Sequence, residues 1–467
     1  MTFNNAAVER AAGISQASRR SKELHEVAAR YLPGGTSREL HDGYPHPLYA
    51  HAGAGCLVVD VDGNERIDFA NNATSLIHGH AHPDVTSAVV ERVQRGTAFT
   101  LCSEEQIDLA RSLCERVASV DMVRFTNSGS EAVLYAIKAI RSFTGRHKIA
   151  KFEGCYHGNA DWAEVSLSSS PSNWGSADGP ASVAYTSGLP PGVLSDVVVL
   201  RFNDMRDLES ILERHSHELA GVLVDAMPAR IGLLPASPGW LRHLRRVTTR
   251  LGLLLVSDEV VNFRHAHGGA QEYFDFDADL TTFGKLIGGG FPVGAVGGRA
   301  DLMELFDARK GDPKVPHGGT FNANPVTMAA GFASLSLLTR GEIERINALG
   351  SRLRAGLTEF FTAAIIPAHV TGEGSLFRIH MTEQRFSDYR GWWSNVPGDP
   401  VAKKRQRQLY LGLLERGVLL HETGFGAIST PMREREVDVF IDAVKQVCEQ
   451  VDLSARAGTG SLLPGRG

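Results

Sequence analysis

Cysteine is scarce. Five residues (Cys56, Cys102, Cys114, Cys155 and Cys448) are scattered through 467, with no Cys-x-x-Cys pair. An odd, sparse set argues against a disulfide framework and for a reducing compartment, so a cytoplasmic location is expected. No stretch of 18 or more apolar residues occurs, which leaves nothing to cross a bilayer as a helix. The opening MTFNNAAVERAAG has no apolar core long enough for a secretory signal. Neither sign of charge dominates: 48 Lys and Arg against 53 Asp and Glu leave a net −5, so no global field favours nucleic acid. No internal repeat is present. Histidine is concentrated in Ile77-His78-Gly79-His80-Ala81-His82-Pro83. Zinc ligands are spaced about three to five positions apart or come from different elements, so His78, His80 and His82 read as loop histidines bonded to backbone.

What is present is an ordinary soluble composition, 43% hydrophobic and 22% charged, in a chain long enough for two domains. Leu24, Val27, Ala28, Tyr31 and Leu32 share one helical face, closed by Pro33-Gly34-Gly35. Residues 57–69 alternate about Asp62-Gly63-Asn64, which predicts a hairpin. Strands then alternate with helices. Short apolar strands are predicted at 122–126, 149–152, 197–200, 221–225 and 253–257. A helix over 132–143 carries Val133, Ala136, Ile137 and Ile140 on one face. Ser237-Pro238 are expected as N-cap and first residue of a helix running through Trp240, Leu244 and Val247 to Gly252. Arg242, Arg245 and Arg246 fall on its exposed face. Lys403-Lys404-Arg405-Gln406-Arg407 reads as the solvated start of the helix that follows Pro397-Gly398-Asp399-Pro400. The alternation implies a mainly parallel sheet with helices on both faces. After about residue 335 long helices with a few strands predict a smaller C-terminal domain. The first ~20 residues and the Gly/Ser/Pro-containing tail 455–467 are expected to be mobile.

Two neighbouring features carry the chemistry. Leu253-Leu254-Leu255-Val256-Ser257 ends in Asp258-Glu259, and Thr281-Thr282-Phe283-Gly284 leads to a lone Lys285 before Gly288-Gly289-Gly290. Apolar runs of this length fit buried parallel strands, whose carboxyl ends are where open α/β sheets bind ligands. A carboxylate behind five apolar residues needs a partner. A desolvated lysine becomes a nucleophilic amine. An amine that forms a Schiff base, with an acid to keep a pyridinium protonated, is what pyridoxal phosphate requires. Asn127-Ser128-Gly129-Ser130, between strand and helix, offers free N–H groups and hydroxyls to a phosphate. Tyr156-His157-Gly158 follows a strand, where an aromatic can stack on a cofactor ring.

Taken together, Phe125-Thr126-Asn127-Ser128-Gly129-Ser130-Glu131-Ala132, Gly154-Cys155-Tyr156-His157-Gly158, Asp258-Glu259-Val260, Leu280 to Lys285 and Gly319-Thr320-Phe321-Asn322 resemble the class III, fold-type I pyridoxal-phosphate aminotransferases over roughly residues 25–450. Thr144-Gly145-Arg146, Gly154 to Gly158 and Lys285 to Gly290 resemble glutamate-1-semialdehyde aminomutases. Ala29 to Gly34, Ser37-Arg38, His46-Pro47-Leu48, Gly318 to Asn324 and Thr371 to Leu376 are similar to aromatic β-amino-acid aminotransferases.

The resemblance implies an α/β fold with a seven-stranded, mainly parallel sheet and a smaller α+β domain built from both termini. Its expected divisions are 1–75 (N-terminal segment joining the small domain), 76–335 (large cofactor-binding domain), 336–455 (C-terminal small domain) and 456–467 (flexible tail). By the same resemblance Lys285 would hold pyridoxal 5′-phosphate and shuttle protons, and Asp258 would pair with its pyridine nitrogen. Val260 would pack under the ring and Tyr156 over it. Ser128, Gly129 and Ser130 would bind the phosphate, with His157 nearby. Thr320 would reach the phosphate of a neighbouring subunit, making a homodimer with shared sites. Arg38 would meet a substrate carboxylate.

The chain departs from the family in two places. It has Asp225-Ala226 where the family has Glu-Pro, followed by Met227-Pro228-Ala229-Arg230, which makes Arg230 a candidate for the cofactor's phenolic oxygen or the substrate. Thr423-Gly424-Phe425 stands where the β-amino-acid enzymes have arginine before Gly-Phe. The expected activity is amino transfer between a β-amino acid or related amine and a 2-oxoacid, with intramolecular aminomutase chemistry as the alternative. A racemase or other non-transaminating pyridoxal-phosphate enzyme ranks third, and a binding protein without chemistry ranks below it because Lys285 and Asp258 are both present. No nucleic-acid or membrane partner is expected.

Overall fold

Period-two alternation in buried strands builds this fold, because each strand must supply apolar side chains to both faces. The computed structural model describes residues 18–38 and 46–450. The expected mobile tail lies outside the described residues, as does the start up to residue 17; Arg19 and Arg20 already belong to a helix.

The strands in chain order are β1 (Ala50–Ala54), β2 (Leu57–Asp60), β3 (Glu65–Asp68), β4 (Met122–Thr126), β5 (Lys148–Phe152), β6 (Val197–Leu200), β7 (Leu219–Val224), β8 (Leu254–Asp258), β9 (Leu280–Gly284), β10 (Gly294–Gly298), β11 (His369–Thr371), β12 (Leu376–His380), β13 (Val418–Leu419) and β14 (Phe425–Ala427). The central sheet has seven strands in the order β4-β10-β9-β8-β7-β5-β6. Only β10 runs against its neighbours, pairing antiparallel with both β4 and β9. This is the seven-stranded, mainly parallel sheet that the family resemblance implies.

β7 is buried at every residue. Its alternate residues divide between two cores. Leu223, with Val256 and Leu280, packs with Val133, Ile137 and Ile140 of the helix Gly129–Thr144. Val222 and Val224, with Leu255, pack with Trp240 and Leu244 of the helix Trp240–Arg250. The predicted hairpin forms as β2 against β3, and β3 pairs in parallel with β13. A chain-distant C-terminal strand therefore completes the N-terminal sheet. β11, β12 and β14 form a third sheet, beside the long helices Arg340–Ala363 and Glu434–Gln450. Among the described residues no helix is long and apolar enough to cross a membrane.

Three local expectations need correction. The helix Gly129–Thr144 starts three residues early, because Ser128 caps it by accepting from Glu131 N at 3.2 Å. The helix expected from Ser237-Pro238 starts at Trp240, since Gly239 takes φ +78° and Trp240 N turns back to Ser237 O at 2.9 Å. The N-terminal helix covers only Arg19–Ala28, and Ser21 is its sole buried residue. The apolar stripe of Val27, Tyr31 and Leu32 lies 50%, 80% and 40% exposed, outside the core of the described residues.

Candidate active site

The carboxyl ends of β7, β8 and β9 meet the start of the helix Gly129–Thr144 around a cavity of about 480 Å³. Asp258, the last residue of β8, lines it. Alternation turns Glu259 the other way. Glu259 is fully buried, accepts from Ala270 N at 2.7 Å and Gln271 Nε2 at 2.8 Å, and is pushed up to about 7 by burial. Of the acidic pair, only Asp258 serves the cavity. Its Oδ1 accepts from Val260 N at 3.1 Å, and its Oδ2 lies 2.7 Å from His157 Nδ1. His157 is buried behind the carboxylate, with Nε2 lacking a partner among the described residues.

Lys285 follows β9 at φ +50°, a left-handed conformation that L-residues adopt at a cost. Among the described residues its Nζ makes no hydrogen bond and no ion pair within 4.0 Å. Burial lowers its pKa, against the pull of Asp258 and Asp225. Asp225 lies just past β7 in the same wall. Its Oδ1 accepts from Met227 N at 2.9 Å and from Asn262 Nδ2. Burial, reinforced by Asp258, pushes its carboxyl well above the usual carboxylate range. Sequence reasoning noted Asp225 only as a departure. Asn72 and Ser75, also in the wall, were missed, because no local motif marks them.

Ser128, Gly129 and Ser130 bring the first turn of the helix to the cavity. The amides of Gly129 and Ser130 find no acceptor among the described residues, and the helix dipole adds to their pull on an anion. A Cβ on Gly129 would stand 3.0 Å from Val260 Cγ2, inside the hollow that Val260 lines. Tyr156 also lines the cavity, with its hydroxyl donating to Asn159 Oδ1 at 2.8 Å. An unpaired amine, a buried carboxylate fixed by histidine, free helix amides and a glycine-made hollow fit the aldehyde, ring nitrogen, phosphate and ring of pyridoxal phosphate.

Arg38 lines the cavity and donates from Nη1 to Asn72 Oδ1 at 2.9 Å. Arg230 does not reach the wall. Its Nη2 donates to Ser168 Oγ at 2.8 Å and its guanidinium lies 5.7 Å from the Tyr185 ring centre. Thr320 is exposed and outside this chain's own cavity. Thr423 likewise stands off it, with its hydroxyl 2.9 Å from His421 Nδ1. The histidine cluster is structural: His78 bonds Thr430 and Ser334, His80 pairs with Asp68, and His82 accepts from Asp84 N. Among the described residues no group of three side chains could hold a metal.

Comparison with known proteins gives matches over most of the chain. The family model described as "Aminotransferase class-III" matches residues 41–437. A glutamate-1-semialdehyde 2,1-aminomutase of Methanothermobacter thermautotrophicus is 38% identical over 435 residues, covering 92% of this chain and 98% of its own. The crystal structure of an omega-transaminase from Sphaerobacter thermophilus superposes with a TM-score of 0.89 at 47% identity, covering 92% and 98% of the two chains. That of a β-phenylalanine aminotransferase from Variovorax paradoxus gives 0.85 at 33% identity, covering 96% and 98%.

Proposed function

The chain belongs to the class-III aminotransferases, which work with pyridoxal 5′-phosphate, and from that premise we propose that it moves an amino group between a β-amino acid, or a related amine, and a 2-oxoacid. The observation that carries this reading is a guanidinium, Arg38, in the same cavity wall as Lys285 and Asp258. A planar guanidinium takes a carboxylate by two charge-assisted bonds. That places an acid substrate at the cofactor through its carboxylate end. The omega-transaminase and β-phenylalanine aminotransferase relatives support it.

Bound pyridoxal phosphate supplies an electron sink for the pair left behind when the substrate loses a proton from carbon. The protein's residues set the conditions. Asp258, kept in place by His157 Nδ1 and Val260 N, holds the proton on the pyridine nitrogen. Lys285 Nζ, with its pKa lowered by burial, would hold the cofactor and then carry the proton. The amides of Gly129 and Ser130 would hold the phosphate, and Val260 and Tyr156, which line the cavity, would confine the ring. Asp225, its carboxyl pushed up by burial and by Asp258, favours its uncharged form beside Asp258. Thr320, exposed on this chain, belongs to the neighbouring site of a homodimer.

The second reading is intramolecular transfer of the aminomutase kind, which the 38% identical aminomutase relative favours. One experiment separates them. Purified enzyme is given β-phenylalanine with and without pyruvate, and separately glutamate-1-semialdehyde alone. Turnover of the β-amino acid that requires pyruvate supports the transaminase. Conversion of the semialdehyde without any oxoacid, and none of the β-amino acid, overturns it.

A further inference from the structure

Asn71, Asn72, Ala73 and Thr74 all have positive φ, at 47°, 47°, 53° and 74°. Left-handed backbone costs an L-residue about 1–2 kcal/mol each, so a run of four persists only where its surroundings hold it. The hold is visible. Asn71 N donates to Asp68 Oδ1, and Asn71 Nδ2 to Ala427 O, both at 2.8 Å. The fully buried Arg264 bonds Ser375 Oγ at 2.8 Å and Ile428 O, and reaches Thr74 O at 3.5 Å. The turn leaves Asn72 exposed, in the cavity wall beside Arg38. Both ends of its amide are committed. Oδ1 accepts from Arg38 Nη1 at 2.9 Å, and Nδ2 donates to Ser75 Oγ at 3.0 Å. Ser75 Oγ in turn donates to Asn72 O at 2.9 Å. Among the described residues Arg38 Nε and Nη2 have no partner.

We propose that Asn72 is the positioning residue of the substrate anchor: it fixes Arg38 by one guanidinium nitrogen and leaves Nε and Nη2 for the two oxygens of a substrate carboxylate. This rests on the reading of Arg38 as that anchor. A neutral acceptor is required at position 72. It orients the guanidinium without cancelling its charge, whereas a carboxylate there would form an internal ion pair and compete with the substrate. Asn also suits the strained turn, since it tolerates left-handed backbone better than most residues. The role is selective for acids: an amine without a carboxylate gains nothing from Arg38 and loses nothing with Asn72.

The test uses the cofactor-loaded enzyme and two readouts. Binding of 3-phenylpropanoate, a carboxylate with no amine to react, is measured by calorimetry. The ratio of kcat/KM for β-phenylalanine to that for 1-phenylethylamine is measured by turnover. Asn72→Asp should weaken 3-phenylpropanoate and lower the ratio by about tenfold, a loss that shrinks as salt screens the new pair. Asn72→Gly keeps left-handed backbone open without strain and should lower both by about threefold, with no added salt dependence. Arg38→Ala is the reference. If it abolishes acid selectivity while both Asn72 variants match wild type, the role of Asn72 is overturned and the anchor reading stands. If Arg38→Ala keeps acid selectivity, the anchor reading fails and the proposal with it. Equal losses for acid and amine in the Asn72 variants reduce Asn72 to a structural role and overturn the proposal.

Discussion

Lys285 illustrates how much can hang on one side chain. It combines a strained φ of +50°, partial burial and, among the described residues, the absence of a hydrogen-bond partner, three costs without structural return. Such a residue fits the proposed role of holding the cofactor. Borohydride treatment of the cofactor-loaded protein should tag Lys285 and no other lysine by peptide mass, and Lys285→Ala should lose both tag and visible cofactor band. A tag elsewhere removes it from the mechanism. Asp258→Asn should retain cofactor yet slow a single half-reaction about 10²-fold or more, because the charge that keeps the ring nitrogen protonated is gone. A near-normal stopped-flow rate is the contrary result. Lys285 and Asp258 were legible in the sequence because each ends an apolar strand. Asp225 and Asn72 were not, since their meaning comes only from what lies opposite them.

At the level of the element, β8 presents adjacent carboxylates to opposite environments. Asp258 serves the cavity, while Glu259 sits among protein donors with a pKa raised from 4.5 to about 7. The sign of its effect follows. Below 4.5 both folded and unfolded forms are protonated and Glu259 contributes nothing. From 4.5 to 7 the unfolded chain sheds a proton the folded one keeps, so stability falls as pH rises. Above 7 the penalty is complete. Glu259→Gln should therefore gain Tm relative to wild type between pH 5 and pH 8, and a difference that stays flat across that range argues against this account. β10 shows the opposite lesson. Gly294-Ala295-Val296-Gly297-Gly298 carries little strand propensity and went unrecognised, because its glycines answer to neighbours. A Cβ on Gly294 would lie 2.0 Å from Ser128 O, the cap of the phosphate-facing helix. Gly294→Ala should destabilise by about 1–3 kcal/mol in denaturant melts and loosen cofactor binding. Gly341→Ala, in the helix Arg340–Ala363 with nothing within 4 Å, should do neither and gain up to about 1 kcal/mol.

Across the whole molecule, apolar side chains remain uncovered on adjoining pieces of one chain. Val90 and Val93 on the helix Pro83–Gln94, Phe332 on the helix Pro325–Leu337, and Phe99, Leu101 and Phe321 on loops are all 40% or more exposed. The two helices pack together, and Thr320 is next to Phe321. This surface suits the proposed second copy. Sedimentation of dilute protein should show a dimer whose dissociation releases cofactor by mass action, and Thr320→Ala should weaken cofactor retention although Thr320 is outside its own chain's cavity. A monomer with full activity and full cofactor would falsify the shared site.

The sequence by itself determined the class of fold and singled out Lys285 and Asp258. Strand-length apolar runs, turn residues and caps act over a few positions, so the alternation of strands and helices, Lys285, Asp258 and the Ser128-Gly129-Ser130 turn could all be read locally. Motifs in order along most of the chain then tied them to one family. Tertiary structure decided what depends on neighbours distant in the chain. It set which of Asp258 and Glu259 faces the cavity, placed Asp225 beside Lys285, left Arg230 outside and put Asn72 against Arg38 across 34 positions. Local pattern fixes which backbone geometry a segment prefers. The energy of a buried charge or an unpaired donor depends on what packing brings within a few ångströms, and only the folded chain specifies that.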